Sequence, residues 1–149
     1  MSQLGLATAA GDAAPGAQQL PREIDPLVKA KPDISGRKQY GEASFYAKEF
    51  AGRKMADGTT MDPQSNNAAS RTLPLGTTAR VTNLATGQSA VVTIKDRGPY
   101  IRGRIVDLSP STAQRIGITP SEGIAKVVVA PIAVPLPSGA VKPGEAAKE

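Results

Sequence analysis

Residues 88–108, QSAVVTIKDRGPYIRGRIVDL, constrain the fold more than any other stretch. Ala90, Val91, Val92, Thr93 and Ile94 form a β-favouring run. Lys95-Asp96-Arg97-Gly98-Pro99 then stops it, because glycine and proline are turn residues and proline cannot donate to a ladder. Ile105, Val106 and Leu108 resume an apolar pattern, and alternation sets Asp107 on the opposite face. The stretch therefore reads as strand, polar corner, strand. A carboxylate flanked by two cations at a strand end, beside a glycine that permits close backbone approach, is raw material for a site. It is equally the composition of a solvated turn, and the residues alone leave both readings open.

The flanks continue the β pattern. Gln39–Ala47 reads as a first strand, with Tyr40, Phe45 and Tyr46 supplying β-propensity. Lys48–Met61 is a glycine-containing loop, and Asp62-Pro63 opens a short helical turn leading to Ala68-Ala69. Thr78–Leu84 is a strand joined to the next by the tight turn Ala85-Thr86-Gly87. Ser109-Pro110 is an N-cap with proline at the first helical position, and Gly117 ends that helix. Ile124–Ile132 is the last strand. Prolines 15, 21, 26 and 32 break any helix in the Ala/Gly/Gln-rich start. These signals predict a disordered tail over 1–38, one mainly β domain over 39–132, and a disordered tail over 133–149. Mostly strands with one or two short helices suits a small barrel.

Composition removes several chemistries. The 149 residues contain no cysteine, which excludes disulfides and thiol catalysis, and no histidine, which removes the commonest general base and metal ligand. No metal site or cofactor is expected. The net charge of +5 suits any polyanion, a carboxylate-bearing polymer included. No phosphate-cradling loop and no interleaving of basic and aromatic residues points to nucleic acid. No apolar run reaches transmembrane length, and Leu4–Ala10 is too short and lacks the basic start of a signal peptide.

GEASFYA (41–47), ADGTTMD (56–62), SRTLPLGT (70–77), VTNL (81–84), KDRGPY (95–100) and GRIVDLS (103–109) occur in that order. This series, over residues 40–130, resembles the RlpA family of peptidoglycan lytic transglycosylases. The resemblance implies a six-stranded double-psi β-barrel related to expansins and barwin. It implies a monomeric enzyme acting on peptidoglycan glycan strands in the periplasm or cell envelope, cutting between N-acetylmuramic acid and N-acetylglucosamine. It also implies export, with a leader removed ahead of the first residue given. The cysteine anchor and the repeat domain that family members often carry do not occur in the sequence.

Carried over position by position, the resemblance makes Asp96 the catalytic acid and Asp62 a second functional acid. A transglycosylase needs one carboxylic acid, because the attacking hydroxyl belongs to the substrate, and its pKa must be raised by burial. Ser70 and Thr59 stand where the family has His and Glu, and with Tyr100, Arg71 and Arg97 they make the substrate-binding set. Asp96 is expected to face a groove near Asp62, Ser70 and Tyr100. Asp62 before proline is also a ready helix cap. The two replacements leave a second expectation, a catalytically degenerate, expansin-like module that binds or loosens the wall.

Overall fold

The computed structural model describes residues 31–148. The strands are β1 (Gln39–Phe45), β2 (Asn67–Ala69), β3 (Thr78–Asn83), β4 (Ser89–Asp96), β5 (Arg104–Leu108), β6 (Ala125–Pro135) and β7 (Val141–Pro143). One α-helix, α1 (Pro110–Arg115), and 3-10 turns over Lys48–Phe50 and Glu145–Lys148 complete the described residues. The sheet order is β1-β5-β2-β4-β3-β6-β7, and β1 also pairs with β6. That extra pairing closes six strands into a barrel and leaves β7 as an added strand. β1–β5 and β2–β4 are parallel, whereas the other pairs are antiparallel. The architecture is a double-psi β-barrel, as the resemblance implied. Among the described residues no helix is long and apolar enough to cross a membrane.

Alternation builds the core. In β3, Ala79, Val81 and Asn83 are buried, and in β4 the inward set is Ala90, Val92 and Ile94. Val106 and Leu108 of β5 and Val127 and Val129 of β6 meet them in the barrel interior. The helix plugs one end: Ala113, Ile116 and Ile118 join the same cluster. Ser109 caps it through Oγ, which accepts from Thr112 N at 3.3 Å. Gly117 follows with φ +87°, a conformation that favours glycine and ends the helix. Asn83 is buried in the hairpin and donates to Ile116 O at 2.8 Å, tying that hairpin to the helix end.

Two expectations change. The expected tail from residue 133 begins inside β6, which runs to Pro135, and β7 pairs with Ala133–Pro135. Pro135 and Pro143 sit at strand ends, where proline is tolerated. Gly144 then passes so close to Pro131 that a Cβ would lie 2.2 Å from its carbonyl oxygen. Glu145 N donates to Gly36 O, and Lys38 N donates to Glu145 Oε1, so the C-terminal segment clasps residues 36–38. Those residues, assigned to the N-terminal tail, are thus held against the domain, as is Asp33, whose N donates to Thr72 O at 2.8 Å; residues 1–30 of that tail lie outside the described residues. The other change is at Asp62–Ala69. The helical turn is a non-helical one, stabilised by Gln64 N donating to Asp62 Oδ1, and it delivers the short strand β2.

Candidate functional site

A break in register creates the site. Along β2 and β4, Ala68 pairs with Ile94, but Ala69 pairs with Asp96, so Lys95 is an extra residue on β4. Ala68 and Ile94 belong to the barrel interior, whereas Ala69 belongs to a separate outer cluster with Tyr46, Met55 and Met61. Unbroken alternation would have aimed Asp96 to the same side as Ile94. The bulge re-aims it outward, beside Ala69. On the other side of Ala69, β5 presents Asp107, and beyond it β1 presents Ser44. A row runs across four strands: Ser44, Asp107, Ala69, Asp96. With strands about 4.8 Å apart, the two acidic backbones are roughly 10 Å apart.

Loop 48–62 closes over this row. It is pinned at its tip, where Ala56 N donates to Asp96 Oδ1 at 2.9 Å and Asp57 N donates to the carbonyl of the bulged Lys95 at 3.0 Å. Tyr46 OH donates to Asp96 Oδ2 at 2.9 Å, and Arg97 N donates to Asp96 Oδ1 at 2.9 Å. Phe50 packs obliquely on Tyr46, with ring centroids 5.8 Å apart, and carries the Arg53 guanidinium on its ring at 5.7 Å. Burial and then the Asp96 carboxylate hold the Tyr46 phenol well above its ordinary range, so it stays a donor.

Asp107 differs from Asp96 in environment. Ser44 Oγ donates to Asp107 Oδ1. Burial pushes its carboxyl above the ordinary carboxylate value, the Ser44 bond and Arg104 oppose the shift, and Asp96 adds to it. One carboxylate therefore receives three donors while the other is held toward its protonated form. Such divergence is how paired acids divide roles.

The predicted residues fall into two groups. Asp96, Tyr100, Arg97 and Arg71 are brought together: the Tyr100 phenol lies in the fields of Arg97, Asp96 and Arg71, although burial dominates its upward shift. Ser70 touches this group through its backbone, N donating to Asp96 O at 3.1 Å. Its hydroxyl is turned inward, 1% exposed, and accepts from Thr72 N and Leu73 N, so it caps a turn and does not face a groove. Arg97 braces the same turn, donating through Nη1 to Ser70 O at 3.0 Å and Leu73 O at 2.6 Å. Thr59 is exposed and bonds to Asp57 Oδ1. Asp62 is exposed and accepts from Gln64 N, and among the described residues no hydrogen bond joins it to Asp96, Asp107 or Tyr46. Among the described residues no arginine side chain pairs with the Asp96 carboxylate; Arg97 meets it only through its backbone N. Asp107 is a candidate that sequence reading missed, and Tyr46, read there as a strand residue, takes its place through its hydroxyl on Asp96. The available signal was a carboxylate alternating with Val106 and Leu108, and nothing local says that the outer face there is covered.

The family model described as lytic transglycolase, a double-psi β-barrel family, matches residues 38–129, and the chain belongs to that family. Among curated proteins it is similar to a probable endolytic peptidoglycan transglycosylase RlpA of Synechocystis, 48% identical over 89 residues, 60% of this chain and 27% of that protein. It is also similar to the endolytic peptidoglycan transglycosylase RlpA of Neisseria meningitidis, 36% identical over 131 residues, 83% of this chain and 54% of that protein. The chain thus spans from about a quarter to half the length of these relatives. Among solved structures, the Streptomyces papain inhibitor matches with TM-score 0.51 and 21% identity, over 65% of this chain and 96% of that one, a likeness of fold alone.

Proposed function

We propose that this domain cleaves the glycan strands of peptidoglycan in the cell envelope by transglycosylation, with Asp107 as the proton carrier and Asp96, held by three donors, as its neighbour across Ala69. The carrying observation is the pair of unlike carboxylates flanking Ala69. Protonated Asp107 donates to the oxygen leaving C1 of the muramic residue. The same carboxylate then takes the proton of that residue's 6-hydroxyl as its oxygen bonds to C1, closing an anhydro ring. No water enters the reaction and no second nucleophile is required. Asp96, read from sequence as the acid, instead keeps Tyr46 and the loop tip in place and raises its neighbour Asp107. The relatives' names as endolytic peptidoglycan transglycosylases support the substrate class.

Digestion of purified sacculi, intact and stripped of stem peptides, tests this reading. The wild-type protein should release anhydro-ended fragments, and Asp107→Asn should release none. Absence of product from the wild type would sink the enzymatic reading.

One observation favours a second reading. Ser70 is a buried cap and Thr59 an exposed turn residue, so neither replaces the His or Glu that the resemblance sets there. A binding or wall-loosening module would retain insoluble peptidoglycan at low salt without releasing fragments.

A further inference from the structure

Arg71 is the first residue after the Ser70 strand end and is partly buried beside the Asp96 corner. Its Nε is sealed from solvent and has no hydrogen-bond partner. A buried guanidinium N–H without an acceptor is costly and calls for explanation. The neighbouring arginine, Arg97, is committed to the carbonyls of Ser70 and Leu73 and has a structural reason for its place. Among the described residues Arg71 has no corresponding bond. The Tyr100 ring, 41% exposed, lies against Gly98, where a Cβ would sit 3.7 Å from its Cε2. Gly98 has φ +118°, a conformation that disfavours any side chain, so the ring's neighbour stays bare.

We infer that Arg71 and Tyr100 form a carboxylate-reading subsite at the edge of the Asp96–Asp107 face, Arg71 meeting an acidic group of the glycan while Tyr100 stacks on the sugar that carries it. This deepens the functional proposal above and rests on it. Arg71 supplies a planar fork suited to a carboxylate, and Tyr100 a flat apolar face with a polar edge. Ser70 N donates to Asp96 O, so Arg71, the next residue, and Tyr100, four residues beyond Asp96, flank the same corner. The carboxylate has two sources, the lactyl group of a peptide-free muramic residue or the stem peptide.

Binding titrations followed by amide chemical shifts separate these. The probes are N-acetylmuramic acid, its methyl ester, N-acetylglucosamine and a muramyl dipeptide. The acid should shift Tyr100 and residues 70–73, and bind about ten- to a hundredfold more tightly than its methyl ester, the range of one charged hydrogen bond. Arg71→Gln should erase that difference while leaving the weak binding of N-acetylglucosamine unchanged. It removes no bond that the fold uses, and Arg71→Lys, which keeps charge without the fork, should recover only part. Preference for the acid over the dipeptide assigns the lactyl carboxylate, and the reverse assigns the peptide. Equal binding of acid and ester, or an undiminished preference in Arg71→Gln, overturns the inference. Release of anhydro fragments by the wild type in the same preparation would show that the catalytic reading survives that failure.

Discussion

Asp96 and Asp107 flank Ala69 on one outer face of the barrel, each on a different neighbouring strand. They are close enough for Asp96 to raise Asp107, yet among the described residues they share no hydrogen-bond partner. A buried carboxyl and a donor-saturated one therefore sit side by side, and their removal should have different consequences.

Asp107→Asn should abolish fragment release without unfolding the domain. Its folded pKa is raised, so the native state binds the proton more tightly than the unfolded chain. The stability it contributes is full below the unfolded value and is lost as pH rises through the folded one. In thermal melts, wild-type stability should fall over that acidic window, and the asparagine variant should flatten the slope. Activity should also fall as pH climbs past the raised pKa. An unchanged pH profile for both quantities would remove Asp107 from the mechanism.

Asp96→Ala should cost stability first. It strands the Tyr46 hydroxyl, 7% exposed with its residue, and the Ala56 and Arg97 amides. A loss of about 2–4 kcal/mol in urea unfolding is expected, with Asp96→Asn losing less because one acceptor remains. A cycle with Tyr46→Phe should give a coupling of about 1 kcal/mol or more. Additive effects would mean the Tyr46–Asp96 bond does not hold in solution.

Ser70→His, which restores the residue the resemblance sets there, should destabilise. The serine is fully packed and caps two amides, and histidine would both overfill the space and withdraw the cap. About 1–3 kcal/mol is expected from overpacking alone. Thr59→Glu, at an exposed position, should be close to neutral. A double variant as stable as the wild type and more active would contradict the inward placement of Ser70.

Gly144→Ala tests the C-terminal clasp. Its methyl would meet the Pro131 carbonyl, so a loss of roughly 1–3 kcal/mol is expected, together with faster amide exchange at residues 36–38. Wild-type melting of this variant would show that the clasp is dispensable.

The barrel strands were legible because their alternation is regular: β3 and β4 read almost to the residue, as did the Ser109-Pro110 helix start. The site was legible only in part. Asp96, Arg71 and Tyr100 could be named from the corner and the family resemblance. The bulge at Lys95 leaves no mark in the sequence, since Val92, Ile94 and Asp96 keep an unbroken period of two. Asp107 was assigned to the outer face, and what covers that face depends on the docking of loop 48–62, some fifty residues earlier in the chain. β7 was hidden by its shortness and by Pro143 at its end, since a proline in a three-residue strand suggests a break.

The extra residue at Lys95 makes this face sensitive to chain length in a way that residue identity cannot reproduce. Replacing Lys95 leaves the count intact, and its backbone carbonyl would still receive Asp57 N. Deleting it would let β2 and β4 pair without interruption and keep the carboxylate outward opposite Ala69, but the carbonyl that receives Asp57 N would go with it. The acid would keep its side of the sheet while the loop tip lost one of its anchors, through the loss of one peptide unit.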